Sequence, residues 1–334
     1  MKIAVVILNW NGQELLNKFL PSIIKYSNSE ISDIYVADNA STDGSIILVK
    51  KYFPSVKIIQ NSKNEGYAKG YNDALKQIDA SIYALVNSDI EVTQNWLDPI
   101  ISNFENNPNT AIIQPKILDY KNKEFFEYAG AAGGFIDKYG FAYCRGRLFK
   151  TVEKDSGQYN TPSNIFWASG ACFFIRANVF KNLNGFDERY FAHFEEIDLC
   201  WRAQNLNHTI TYIPNSTVYH IGGATLEESN PKKTYLNYRN SLFTLVKNLP
   251  HNKLFTTVFI RLAIDGIAGV KFLIDLKPNH TLAILKAHIS FYTKLLENLK
   301  IRKNTVPKKE SYYTTKSIIW EYFIKGKKTF NDLD

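Results

Sequence analysis

Cysteine is scarce in this 334-residue sequence: Cys144, Cys172 and Cys200 are scattered, odd in number and without a C-x-x-C pair. That excludes a disulfide scaffold and a thiolate-built zinc site, and a reducing cytosol is the expected compartment. The opening apolar run, Ile3–Leu8, has no small-residue cleavage site behind it and is too short for a signal-peptide core. Glycine and proline, 17 and 11 residues, are too few for collagen-like or low-complexity sequence. No internal repeat and no G-x-G-x-x-G fingerprint is present. What remains is 45% hydrophobic and 22% charged, too apolar for a disordered chain and long enough for one large domain or two ordinary ones.

Acidic residues thin out toward the end. Forty Lys and Arg against 32 Asp and Glu leave +8. Residues 231–334 hold 19 of the basic and 7 of the acidic side chains, a balance of +12, which leaves −4 for the first 230. A weakly acidic body with a basic tail section points to an anionic partner for the tail, a membrane surface or nucleic acid, or to a solvated Lys-rich surface. On a helical projection Lys253, Thr257, Arg261, Asp265, Lys271 and Asp275 share one arc of about 120°, and the other faces from Leu254 to Ile274 are apolar. A membrane span needs about 20 mostly apolar residues, and three charges near the middle of this segment count against one. A helix lying in the membrane interface suits the pattern, and so does packing on the body or on a twin subunit. Residues 282–300 repeat the theme, and Lys300, Arg302, Lys303, Lys308 and Lys309 suit phosphate headgroups.

The first half alternates. Ile3–Leu8, Ile34–Ala37, Val56–Ile59, Ile82–Val86 and Ala111–Gln114 read as short apolar strands. Helical patterns lie between them at Leu15–Ile24, Ile46–Lys50, Tyr71–Gln77 and Trp96–Asn106. Such alternation predicts an α/β fold, a mostly parallel sheet with helices on both faces. Ligands bind such sheets beyond the carboxyl ends of the strands. The polar clusters fall there: Asn9–Gly12, Asp38–Ser45, Asn61–Asn72 and Asn87–Asp89. Residues 125–164 give no assignable pattern. Order returns over Phe166–Arg176, followed by a turn at Gly185-Phe186-Asp187, a helix around Glu195–Asn205 and a strand near Thr209–Ile213.

Several residues in these clusters suit chemistry. Asp38, ending a strand, can accept the ring N–H of uracil or thymine, while Ser41–Ser45 fit an Asx turn capping a helix. Gly66, Ala68 and Gly70 are small enough to let backbone approach a ligand, and the helix start nearby offers N–H groups to phosphate. Asp89 can hold a divalent cation, with His220 a candidate second ligand. Glu195, Glu196 and Asp198 crowd three carboxylates into a helix start, which favours a raised pKa in one of them. Asp198 pairs with Arg202 at i+4, leaving Glu195 or Glu196 as a general base.

Taken in order, these residues resemble glycosyltransferase family 2, in its rhamnosyltransferase-like branch. The resemblance covers about residues 1–245 and rests on Leu8-Asn9-Trp10-Asn11-Gly12, Asp38-Asn39-Ala40-Ser41-Thr42-Asp43-Gly44-Ser45, the Asn64, Gly66, Tyr67, Ala68, Gly70, Asn72 spacing and Asn87-Ser88-Asp89. Ser169-Gly170-Ala171, Gly185-Phe186-Asp187-Glu188, Glu195-Glu196 with Asp198, Leu199 and Arg202, then His220 and Tyr238-Arg239-Asn240 complete it. It implies a GT-A fold over 1–245, a Rossmann-like sheet, with 246–334 a basic helical extension. It implies inverting transfer from a UDP- or dTDP-sugar, the donor lying on Leu8, Asn9, Asn11, Asp38, Asn39, Asn64, Gly66, Asn72, Asn87 and Ser88. Asp38 matches the pyrimidine-binding acid, Asp89 and His220 the ligands of Mg2+ or Mn2+, and Glu196 the catalytic base. Trp167, Ser169, Gly170, Asp198 and Arg202 fall on the acceptor and sugar side. Asn87 replaces the first acid of D-x-D, and Glu196 stands where Asp is more usual, reaching about 1.5 Å further. The expected setting is cell-surface polysaccharide assembly at the inner membrane face on a lipid-linked saccharide, with a homodimer open and no nucleic acid. The rivals are a sugar nucleotidyltransferase, disfavoured by the Lys-free Asn9–Gly12 loop, and a degenerate nucleotide-binding scaffold.

Overall fold

Ile3–Leu8 is apolar throughout because the strand it forms is covered on both faces. Val6 and Ala4 pack toward Tyr71 and Leu85, whereas Ile3, Val5 and Ile7 pack toward Leu16 and Leu20. The computed structural model describes residues 1–222, 229–303 and 309–333; of the residues named above, Lys308 lies outside these.

The chain order is β1 (Ile3–Asn9), α1 (Gln13–Tyr26), β2 (Ser32–Asp38), α2 (Ser45–Tyr52), β3 (Lys57–Gln60), α3 (Gly66–Leu75) and β4 (Ile82–Asn87). Then come β5 (Ile90–Val92), α4 (Asp98–Asn106) and β6 (Thr110–Asp119). The stretch with no assignable pattern supplies β7 (Gly134–Ile136), β8 (Ala142–Cys144), β9 (Arg147–Leu148) and β10 (Thr151–Val152), a small antiparallel sheet of its own. After β11 (Ser163–Asn164) follow β12 (Cys172–Arg176), α5 (Ala177–Asn182), α6 (Glu195–Asn205) and β13 (Thr209–His220). The chain continues as α7 (Pro231–Asn248), α8 (Leu254–Ile274), α9 (Pro278–Thr293) and α10 (Leu295–Lys303).

The main sheet runs β11-β13-β6-β12-β4-β1-β2-β3, with β5 on β13. β4, β1, β2 and β3 are mutually parallel, but β12 is antiparallel to both neighbours, so the sheet is mixed. This is the GT-A architecture with a helical C-terminal part. β13 passes the predicted stop at Ile213 because a register shift between Ile213 and Thr217 absorbs Pro214 and lets pairing resume as far as His220.

The division expected after residue 245 falls inside α7, which packs on α6, α9 and α10. The last residues return to the small sheet: Tyr143 Oη bonds Thr315 Oγ1 and Asp137 Oδ2 accepts from Ile318 N. The charged stripe of α8 points mostly inward. Thr257, Arg261 and Asp265 are buried, while Phe255, Phe259, Ile267 and Ile274 on the same helix are exposed. Arg261 bonds Asp265 at 2.7 Å, the Gly140 carbonyl at 3.1 Å and Ser241 at 2.9 Å, which fastens α8 to the body. Among the described residues no helix is long and apolar enough to cross a membrane.

Candidate functional site

The carboxyl ends of β1, β2 and β4 lie side by side: Asn9 opposes Asp38, and Leu8 opposes Asn87. Their loops are stitched together. Asn9 Nδ2 donates to Asp38 Oδ1 at 3.0 Å and to Ser41 Oγ at 3.1 Å, and Asp38 Oδ2 accepts from Ser41 N. Asn11, with φ of 51°, accepts Thr42 N at 2.7 Å. Asn39 bonds Asn64, Asn61 and the Gly66 carbonyl.

This arrangement bears on three expectations. Asp38 is 1% exposed, and each of its oxygens accepts one hydrogen bond that orders the rim, which leaves each oxygen a further lone pair toward a ring N–H. Asn72 faces the 185–188 turn, bonding Phe186 N and O and Glu188. Gly66 and Gly70 serve close packing of protein on protein: a methyl at Gly66 would strike the Phe191 carbonyl, and one at Gly70 would strike Asn39 and Leu8. The polar side chains left partly open at this rim are Asn11, Ser41, Asn61, Asn64, Asn87 and Ser88.

Beyond β4, Asp89 Oδ1 lies 3.1 Å from His220 Nε2, and Glu127 Oε1 lies 3.2 Å from His220 Nδ1. All three side chains are buried. Burial alone would lower the His220 pKa, but the Glu127 and Asp89 carboxylates push it up to about 10; Asp89 is held below its usual value against the pull of burial. The two carboxylates sit on opposite edges of the ring, so only Asp89 and His220 Nε2 can grip one ion. Among the described residues no three His, Cys, Asp or Glu side chains form a metal cage. This donor pair fits a Mg2+ or Mn2+ that completes its shell with substrate phosphate and water, and binding it would displace the proton on His220. Glu127, hidden in the unassigned stretch, would then fix the ring orientation. The only signal for it in sequence is a charged residue amid aromatics.

Glu196 stands at the start of α6, against the end of β4. Asn87 N donates to the Ala171 carbonyl at 2.9 Å. A methyl on the neighbouring Gly170 would lie 3.8 Å from the Glu196 carboxyl carbon and 3.3 Å from the Tyr67 hydroxyl, which itself bonds the Gly170 carbonyl. Glu196 is partly exposed, and its Oε2 has no hydrogen-bond partner among the described residues. Burial pushes its pKa up to about 7, and pushes buried Glu195 well above the usual range with help from Glu196's charge.

The turn leading into α6 is strained and held from outside. Phe191, His193 and Phe194 have φ of 63°, 69° and 71°, each costing about 1–3 kcal/mol. Asn240 Nδ2 donates to the carbonyls of Tyr190, Ala192 and His193, and Arg239 donates to that of Arg189. The Tyr238-Arg239-Asn240 motif therefore clamps the approach to Glu196.

Of the acceptor-side candidates, only Gly170 borders Glu196. Asp198 is fully buried and bonded by Arg202, Lys247 and Asn248, and Arg202 also binds the carbonyls of Leu183 and Gly185. Both brace the site from behind: Asp198 accepts on both oxygens, and Arg202 donates from Nε, Nη1 and Nη2 to protein acceptors. Trp167 donates to the Phe135 carbonyl, and Ser169 lies between Gln114 and Ala171, likewise buried.

A profile described as "Glycosyl transferase family 2" matches residues 4–183. A relative from Mycobacterium tuberculosis, N-acetylglucosaminyl-diphospho-decaprenol L-rhamnosyltransferase, is 24% identical over 233 residues, covering 65% of this chain and 75% of its own. Among solved structures, GalNAc-T7 with UDP, GalNAc and Mn2+ aligns with a TM-score of 0.59 at 18% identity, over 74% of this chain and 48% of that one. S. aureus TarS 1-349 with UDP-GlcNAc aligns with a TM-score of 0.58 at 17% identity, over 90% and 85%.

Proposed function

The matching profile spans more than half of the 334 residues, so this chain belongs to glycosyl transferase family 2, and we propose that it is an inverting enzyme working at a lipid surface. It moves a sugar from a UDP- or dTDP-linked donor to a hydroxyl of a lipid-linked saccharide. The mycobacterial relative's name supplies the candidate sugar, rhamnose, and the candidate acceptor, a saccharide on a lipid diphosphate.

One observation carries the chemistry: among the described residues Glu196 Oε2 is shielded from solvent and has no hydrogen-bond partner, and burial tunes the group to about 7. A base works best when its pKa lies near the working pH. The acceptor hydroxyl gives its proton to Glu196 as its oxygen bonds to the anomeric carbon. The bond from that carbon to the diphosphate breaks on the opposite face, and the nucleoside diphosphate leaves with the electron pair. A single displacement inverts the centre. The polar rim from Asn11 to Ser88 seats the nucleotide, and the Asn240 clamp keeps Glu196 aimed at the acceptor. The chemistry that Mg2+ or Mn2+ supplies when held by Asp89 and His220 is neutralisation of the departing diphosphate. UDP and UDP-GlcNAc in neighbours of the same fold support a nucleotide-sugar donor.

The test is Glu196→Gln, assayed against a panel of UDP- and dTDP-sugars with a lipid-diphosphate saccharide. Transfer should fall about 10²–10⁴-fold, with nucleotide affinity by calorimetry unchanged. Wild-type rates in the variant would refute the assignment.

A further inference from the structure

We infer that the cleft between the first turn of α7, the β9–β10 turn and the end of α8 holds the phosphate-bearing head of a lipid-linked acceptor, whose chain leaves along the exposed apolar side of α8. This deepens the transferase reading above and rests on it for the word acceptor. The cleft has a volume of about 1030 Å³. Among the described residues four lysines line it, Lys150, Lys233, Lys271 and Lys277, and one acid, Asp275, which Lys271 engages at 2.7 Å. Lys233 and Thr234 lie in the first turn of the 18-residue α7, where the helix presents its positive end.

The walls are aromatic. Phe149 packs on Tyr322 and Phe323 with ring centroids 4.8 Å apart in each case, and Phe272 stacks on His280. A compact anion alone would be served by the lysines without aromatic walls, and an apolar protein partner would have to bury the exposed charges of Lys150 and Lys277. An amphipathic ligand with an anionic head satisfies both features. Ile274 and Leu276, the sequence neighbours of the lining residue Asp275, are 75% and 88% exposed and offer apolar surface for the chain. One segment of chain links the cleft to the candidate metal ligands. Tyr128 lines the cleft and follows Glu127, whose carboxylate contacts His220.

Titration calorimetry on the full chain, with farnesyl diphosphate as probe, tests the assignment. Farnesyl diphosphate should bind equally well with and without saturating UDP, whereas pyrophosphate and farnesol should each bind at least tenfold more weakly. The double variant Lys150→Glu, Lys277→Glu, made at two exposed positions, should weaken farnesyl diphosphate at least tenfold, and Phe323→Asp should do the same. Displacement by UDP would place the probe in the donor's site and overturn the inference. Equal affinity for pyrophosphate would reduce the cleft to an anion site, and wild-type affinity in both variants would put the probe elsewhere. A wild-type chain that binds no nucleoside diphosphate, yet binds farnesyl diphosphate in a Lys150- and Lys277-dependent way, would sink the transferase reading and leave the lipid-phosphate cleft standing.

Discussion

Three carboxylates crowd into positions 195–198, and the sequence suggests that like-charge repulsion raises one of them. The raised groups are indeed Glu195 and Glu196, but the main cause is burial, with mutual repulsion second for Glu195. Asp198 goes the other way. Burial would raise it, yet Lys247 and Arg202 hold it below the usual carboxylate range. A base must be deprotonated to act, so kcat/KM should climb with pH to a plateau above about 7. In Glu196→Gln that limb should vanish from the residual rate, and a pH–rate profile that keeps it would move the base elsewhere. Asn72 shows why residue roles are harder to read than residue types. It is a polar residue in the right cluster, but the direction of its amide is decided by the Phe186 backbone, 114 positions on. Glu127 was invisible for the converse reason, since nothing local marks a carboxylate that meets a histidine 93 positions on.

Elements were legible where burial on both faces leaves an unbroken apolar run. β1 and β4 follow that rule, while α1 and α4 were legible from the helical spacing of their buried residues, Leu16, Phe19, Leu20 and Ile23 in one and Ile100 and Phe104 in the other. β7 to β10 do not, because two- and three-residue strands are too short for any period to show. The antiparallel β12 was also hidden, since a strand buried on both faces carries no mark of direction. What joins the elements around Glu196 is a buried charge network: Lys247 of α7 contacts Asp187 at 2.6 Å and Asp198 of α6 at 2.9 Å. Lys247→Ala leaves Asp198 without one of its two cations, and such a loss costs about 3–5 kcal/mol, to be read from urea unfolding at pH 7. Burial would raise Asp187 as well, but Arg189 and Lys247 hold it, like Asp198, below the usual carboxylate range. The native state therefore binds fewer protons here than the unfolded chain in mild acid. The network's stabilisation is complete above the usual carboxylate range and drains away as pH falls below about 4. The gap between wild type and Lys247→Ala should accordingly narrow in acid; a gap that widens there would show that the network is not what Lys247 supports.

At the scale of the whole molecule, the sequence shows that the tail is amphipathic but cannot say which side faces in. α8 turns its charged stripe inward because Arg261 and Asp265 find fixed partners in the Gly140 carbonyl, Ser241 and each other, so a buried ion pair replaces the usual apolar contact. Phe255, Phe259, Ile267, Leu273 and Ile274 are thereby turned outward, continuous with Leu282, Leu285 and Ile289 of α9. An outward apolar surface this extended marks an interaction site. The proposed occupant is an anionic lipid surface, because the same section of chain carries the +12 balance and a second copy of it would bring like charge against like. Each large side chain entering the apolar layer contributes about 1.5–3 kcal/mol, and each lysine near the headgroups about 1 kcal/mol. Phe259→Glu with Ile267→Glu should therefore remove at least 3 kcal/mol, more than a hundredfold in partitioning, without touching Arg261 or the rim. Flotation with phosphatidylglycerol vesicles should recover the wild type and lose the double variant, and high salt should weaken the wild type through its lysines. If sedimentation instead finds a dimer that the double variant splits, while flotation is absent from both, the apolar face belongs to a second copy and the lipid surface is the wrong occupant.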